Sequence, residues 1–195
     1  MPIRLVPENP EAAEELRRGL GAFSDRARGA RELSDRAVFP KLNRLHPVFT
    51  VALEDIAEGR LLDAVCQVGW RGFATEGEGA GRTAEISWDD DDPIHAFGGV
   101  TEGGFVEQTL AALEDRRGRE AADRAECTWQ ILRIPGLHVF AVWLHTDSED
   151  TDLLVPLGPT APPLEAGRAY SAEEFGRALI DPARTILTFD ASHGL

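Results

Sequence analysis

The sequence predicts an α+β domain: a central, mainly antiparallel β-sheet with helices packed around it, plus a basic N-terminal helical segment. Three observations carry that expectation. Residues 127–145, CTWQILRIPGLHVFAVWLH, hold two runs rich in β-branched and aromatic residues around a Pro-Gly turn pair. Two helix starts are well marked, one at Asn9-Pro10-Glu11 and one at Ser171 with Glu174 three residues on. The chain has 195 residues, 43% of them hydrophobic and 28% charged, which are globular values and suit one domain with an N-terminal appendage. The expected division is residues 1–46, a helix and a basic extended segment, and residues 47–195, a single α+β domain.

In the first helix Asn9 can cap, Pro10 fits the first position, and Glu11 complements the positive end of the dipole. Ala13, Leu16, Leu20 and Phe23 line one face, and Gly19 and Gly21 predict fraying near Gly21, so the helix is placed at 10–21. Residues 24–46 are polar, arginine-rich and interrupted by Pro40, and read as a short helix with an extended segment. PVFTVALEDIAEG (47–59) carries both strand and helix signals; Val48, Ala52 and Ile56, closed by Gly59, favour helix.

Residues 61–76 read as a strand, with Ala64, Cys66, Val68 and Trp70 on one face and Gln67 and Arg71 on the other. GEGAG (77–81) is a turn, and 82–88 returns as a second strand. Trp88 then ends that strand, Asp89–Asp92 carry the chain into water, and Pro93 stops the ladder because it cannot donate a hydrogen bond. A helix at 104–117 faces Phe105, Val106, Leu110 and Leu113 inward.

The pair of strands 127–134 and 137–145 forms a hairpin if Pro135 and Gly136 are the loop. Trp129, Ile131, Phe140 and Val142 then share one face, and Leu132, Ile134, Leu137, Val139 and Trp143 the other. Both faces are apolar, so the hairpin belongs at the centre with Trp129, Ile131, Phe140 and Trp143 largely buried. A strand at 152–157 and a surface linker at 159–167 follow. The second marked helix combines a Ser171–Glu174 capping box with a Tyr170–Phe175 staple, and should stop near Ile180 before Pro182. RTILTF (184–189) reads as a last strand.

The formal net charge of −14 opposes non-specific binding to nucleic acid or to an anionic membrane, since both need positive charge. The charge is uneven: eight basic residues stand against three acidic ones between Leu16 and His46, which leaves an acidic body. No leader segment is expected at the start, and no apolar run approaches the roughly 20 residues of a membrane span. Two cysteines give no disulfide framework, so Cys66 and Cys127 are expected as buried free thiols in a reducing cytoplasm. Lys41 is the single lysine, and arginine-rich, alanine- and glycine-rich usage fits a GC-rich bacterial genome.

The chemical motifs fail on spacing. Every frame of Asp89–Asp92 breaks the EF-hand pattern, because Pro93, Ile94 or His95 falls where an oxygen ligand or glycine is needed. Asp92 and His95 bracket Pro93 and cannot share a helix face. The acidic loop 147–152 could join 89–92 around a cation with His95 or His145; both loops read more simply as solvated turns. His138 and His145, seven apart on one strand, point to opposite faces and serve as a strand-end residue and as a partner for a nearby carboxylate. Asp190, Ser192 and His193 lie at the C-terminal end, away from the rigid frame a triad needs. GGVTEGG lacks the phosphate-loop lysine and follows four aspartates. No catalytic, metal or cofactor residue is therefore assigned. The expectation is a non-catalytic, acidic, cytoplasmic interaction protein of adaptor, assembly-factor or immunity-inhibitor type that binds a protein, not nucleic acid or membrane. The alternative is a metal-dependent hydrolase or calcium-binding protein built on 89–92 and 147–152.

Overall fold

The computed structural model describes residues 9–29, 41–75, 82–89, 92–102, 106–109, 111, 127–146 and 152–193. The protein is α+β. Its elements run α1 (Pro10–Gly29), β1 (Lys41–Thr50), α2 (Leu53–Ala57), β2 (Cys66–Thr75), β3 (Arg82–Asp89), β4 (Asp92–Glu102), β5 (Cys127–Ile134), a single 3₁₀ turn (Pro135–Leu137), β6 (Val139–Thr146), β7 (Leu153–Pro156), β8 (Tyr170–Ser171) and α3 (Ala172–His193). The chain divides into two compact units. One holds α1, β1 up to Pro47, β2 from Val68, β3 and β4; the other holds Val48–Thr50 of β1, α2, β5–β8 and α3.

In the first unit the strand order is β4-β3-β2-β1, with α1 packed on β3 and β4. The Asn9 side chain accepts hydrogen bonds from the Glu11 and Ala12 amides at 3.0 and 3.1 Å, the expected N-cap. Ala12, Ala13, Leu16 and Leu20 are buried. The helix passes Gly21, where fraying was expected, and continues to Gly29. β3 and β4 are antiparallel, with Asp89 paired to Asp92. Asp89 thus ends one strand of a hairpin and Asp92 opens the other, and Pro93 lies inside β4, contrary to its expected role as a terminator. The register explains how. Between the Ser87–Ala96 and Asp89–Asp92 pairs, three residues of β4 oppose one of β3, so Pro93 sits in a bulge where no ladder donor is required. Gly98 forms a second bulge, between the Glu85–Gly99 and Ile86–Phe97 pairs.

In the second unit the order is β1-β5-β6-β7-β8. β1 runs parallel to β5, while β5/β6, β6/β7 and β7/β8 are antiparallel, so the sheet is mixed where a mainly antiparallel one was expected. The cause lies in residues 47–50. Their strand signal prevails over the helical one: Val48 and Phe49 pair with Ile131 and Leu132, and the helix shrinks to Leu53–Ala57. The β5/β6 hairpin is interior in this order, as expected. Its connection has four residues, Pro135–His138, and pairs Ile134 with Val139, two positions from the tight Pro-Gly register. A two-residue shift preserves side-chain parity, so the expected faces survive although Leu137 leaves the strand. Trp129, Ile131 and Trp143 are buried; Phe140 is only half-buried.

Leu132, Ile134, Val139, Ala141 and Trp143 pack beneath α2 and α3 with Leu154, Tyr170, Phe175, Leu179 and Ala183. The start of α3 is capped as expected. The Glu174 amide donates to Ser171 Oγ at 3.1 Å, the Ser171 amide donates to Glu174 Oε2 at 3.3 Å, and the Tyr170 and Phe175 rings meet at 6.1 Å. The helix does not stop at Pro182, and there is no strand at 184–189. Phe175, Leu179 and Ala183 recur at helical spacing on the buried face, and Ile186 and Leu187 continue it, so packing overrides both proline and β-propensity.

Other expectations are adjusted locally. β2 begins at Cys66, after a turn at 61–64, and the Cys66 thiol is exposed, because it opens the strand at the end of that turn. Within the expected 104–117 helix, 106–109 and 111 are helical, with Val106 buried; the other positions, residues 30–40 and 76–81, and the Cys127 side chain lie outside the described residues. Among the described residues no helix is long and apolar enough to cross a membrane.

Candidate functional site

Two features of the second unit gather chemistry. The first is built on Asp152. Trp143 and His145 share a face of β6 because they are two residues apart, and Asp152 stands immediately before β7. Its carboxylate is fully buried, and the protein supplies four donors in place of water. Trp143 Nε1 donates to Oδ2 at 2.7 Å, and His145 Nδ1 lies 3.0 Å from the same oxygen. The Thr146 amide and hydroxyl donate to Oδ1 at 2.8 and 3.1 Å. The Asp152 carbonyl in turn accepts from the Ala172 amide at 3.3 Å, which ties the first residue of α3 to this cluster.

The arrangement fixes the histidine. With Nδ1–H directed at a carboxylate, the lone pair sits on Nε2. The ring rests edge-on against Trp143, centroids 5.3 Å apart, and its side chain is 39% exposed. His145 could hold one proton or serve as one metal ligand. Asp152 could not readily be a second ligand, because about four acceptor sites on a carboxylate already meet four donors. His145 therefore takes its expected place beside a carboxylate, whereas the carboxylate itself could not be identified from the sequence. Asp152 closes an acidic run that reads as solvated, and only the hairpin geometry reveals that the last member of the run turns inward.

The second feature is a cleft of about 440 Å³ between the 59–63 turn and the first two turns of α3. Leu61, Leu62, Ala172 and Ile180 give it an apolar lining; Asp63, Glu173 and Arg177 supply charge. Two glycines, Gly59 and Gly176, leave its walls bare, and Gly59 has φ +81°, a conformation that other residues rarely adopt. Glu173 is bonded by Arg177 one helical turn on. Arg60, at the neighbouring turn, is committed elsewhere: hydrogen bonds to Asp55 first, and then to Glu58, hold its guanidinium above the ordinary arginine value. Asp63 is exposed and has no cationic partner among the described residues. No local pattern marks this cleft, because its walls are more than 100 positions apart.

Asp89 and Asp92 belong to the β3–β4 hairpin, and His95 to the bulged part of β4; their side chains, with Asp90, Asp91 and 147–151, lie outside the described residues. His138 is exposed in the left-handed position that ends the β5–β6 connection, so it is not a strand residue. Ser192 lies in the last turn of α3 and donates to the Phe189 carbonyl at 2.7 Å. Among the described residues no three His, Cys, Asp or Glu side chains form a metal-binding group. No family model, curated protein or solved structure matches this chain.

Proposed function

We propose that this chain is a non-catalytic, acidic interaction protein of the cytoplasm that binds a basic protein partner, in the manner of an adaptor, an assembly factor or an immunity-type inhibitor. The observation that carries the reading is the net charge of −14 on 195 residues. Such a field steers a cationic partner and repels nucleic acid and anionic membrane. The local chemistry agrees with binding. Asp152 spends its carboxylate on internal donors, which suits a rigid scaffold more than a reacting group. The test is isolation of the tagged protein from its own cells at low salt, followed by washes of rising ionic strength. A stoichiometric basic protein that is released at roughly 0.5 M salt, where screening is nearly complete, supports the reading. A partner that is acidic, or one whose retention ignores salt, overturns it.

A further inference from the structure

We infer that the cleft between the 59–63 turn and α3 is where such a partner docks, through a short segment that presents an aliphatic side chain beside a lysine or arginine. The inference rests on the acidic-binding reading and gives it a place and a chemistry. The volume, about 440 Å³, falls within the roughly 300–1,000 Å³ of binding clefts. Leu61, Leu62, Ala172 and Ile180 present carbon to its interior, so an aliphatic group gains by entering.

The charge of the rim selects the neighbour of that group. An anion meets Asp63 and Glu173, and the lining cation among the described residues, Arg177, is already bonded to Glu173. The start of α3 does not reverse this preference. The Ser171, Ala172 and Glu174 amides donate to Glu174, the Asp152 carbonyl and Ser171 Oγ, and Glu173 and Glu174 offset the roughly half positive charge of a helix N-terminus. A lysine or arginine finds Asp63 without a cationic partner among the described residues and can share Glu173. Apolar burial supplies affinity, and the carboxylates supply direction.

The test is amide chemical-shift mapping of the full chain with the peptide acetyl-Gly-Leu-Lys-Arg-Gly-amide, and with its counterpart carrying two glutamates in place of Lys-Arg. The expected result is a saturable shift at Gly59, Leu62, Asp63 and Gly176 with the basic peptide only. Asp63→Lys should weaken it about tenfold, the loss of one close charge pair, while Glu165→Lys, an equal charge change outside the cleft, should weaken it less than about twofold. Equal weakening by both variants, or shifts spread over other acidic surface, overturns the cleft as the site and leaves the broader reading standing. So does a partner held by the cells' protein but unaffected by Asp63→Lys. Equal binding of the glutamate peptide overturns both. Glu165→Lys also serves as the folding control, since both exchanged residues are exposed.

Discussion

A carboxylate removed from water costs several kcal/mol unless donors replace its hydration, and Asp152 has four of them. Asp152→Ala should therefore cost about 3–5 kcal/mol in chemical denaturation, because it orphans the Trp143, His145 and Thr146 donors together. His145→Ala should cost only about 1 kcal/mol, since its ring is partly solvated and the other three donors remain. Similar losses for the two variants would mean that the carboxylate is not the hub of the cluster. Aromatic residues divide in the same way. Phe175 is fully buried and Phe140 half-buried, so Phe175→Ala should lose about 3–5 kcal/mol and Phe140→Ala roughly 1–2 kcal/mol. Residue-level burial was legible where a period repeats: Trp129, Ile131 and Trp143 are inside as their alternation requires. It was not legible for Asp152 or Arg71. Arg71 is buried because Glu85, directly opposite on β3, accepts from its guanidinium, with Nε–Oε2 at 2.9 Å, and cross-strand partners 14 positions apart leave no local pattern.

At the scale of elements, local chemistry fixed beginnings better than endings. Asn9 and Ser171 start their helices as their side chains dictate, because an N-cap is a contact between residues two or three apart. Ser171→Ala should cost about 1 kcal/mol by thermal or chemical unfolding; no loss would show that the capping bonds are not formed in solution. The end of α3 was misread because Pro182 and the β-branched run after it are local signals, whereas Leu179, Ala183, Ile186 and Leu187 face a core built from distant strands. Removing the mismatch should stabilise the protein. Pro182→Ala restores an amide donor inside a helix and should gain roughly 1–3 kcal/mol, with helical circular dichroism at least maintained. A loss of stability, with less helix, would favour a chain break at this position. β4 escaped notice for a related reason: its bulges absorb Pro93 and Gly98, the residues that argue against a strand.

The whole molecule is an α+β scaffold whose sheet in the second unit is mixed, and its parallel β1–β5 pair joins segments about 80 residues apart. The β5–β6 hairpin and the two capped helix starts could be read from the sequence; the β1–β5 pairing could not, because parallel partners are set by tertiary packing. Function follows charge and surface. On the proposed reading the acidic balance calls for a basic partner, and the cleft beside α3 is the foothold inferred for it. The most direct measurement is photocrosslinking in the cells that make the protein, with a benzophenone amino acid at position 63 and, as the control, at position 165. The account predicts one dominant basic protein crosslinked from position 63, with little product from 165 and with the product lost when Glu173→Lys is added. A dominant acidic partner, equal product from both positions, or no product from 63 while a partner co-purifies would contradict it.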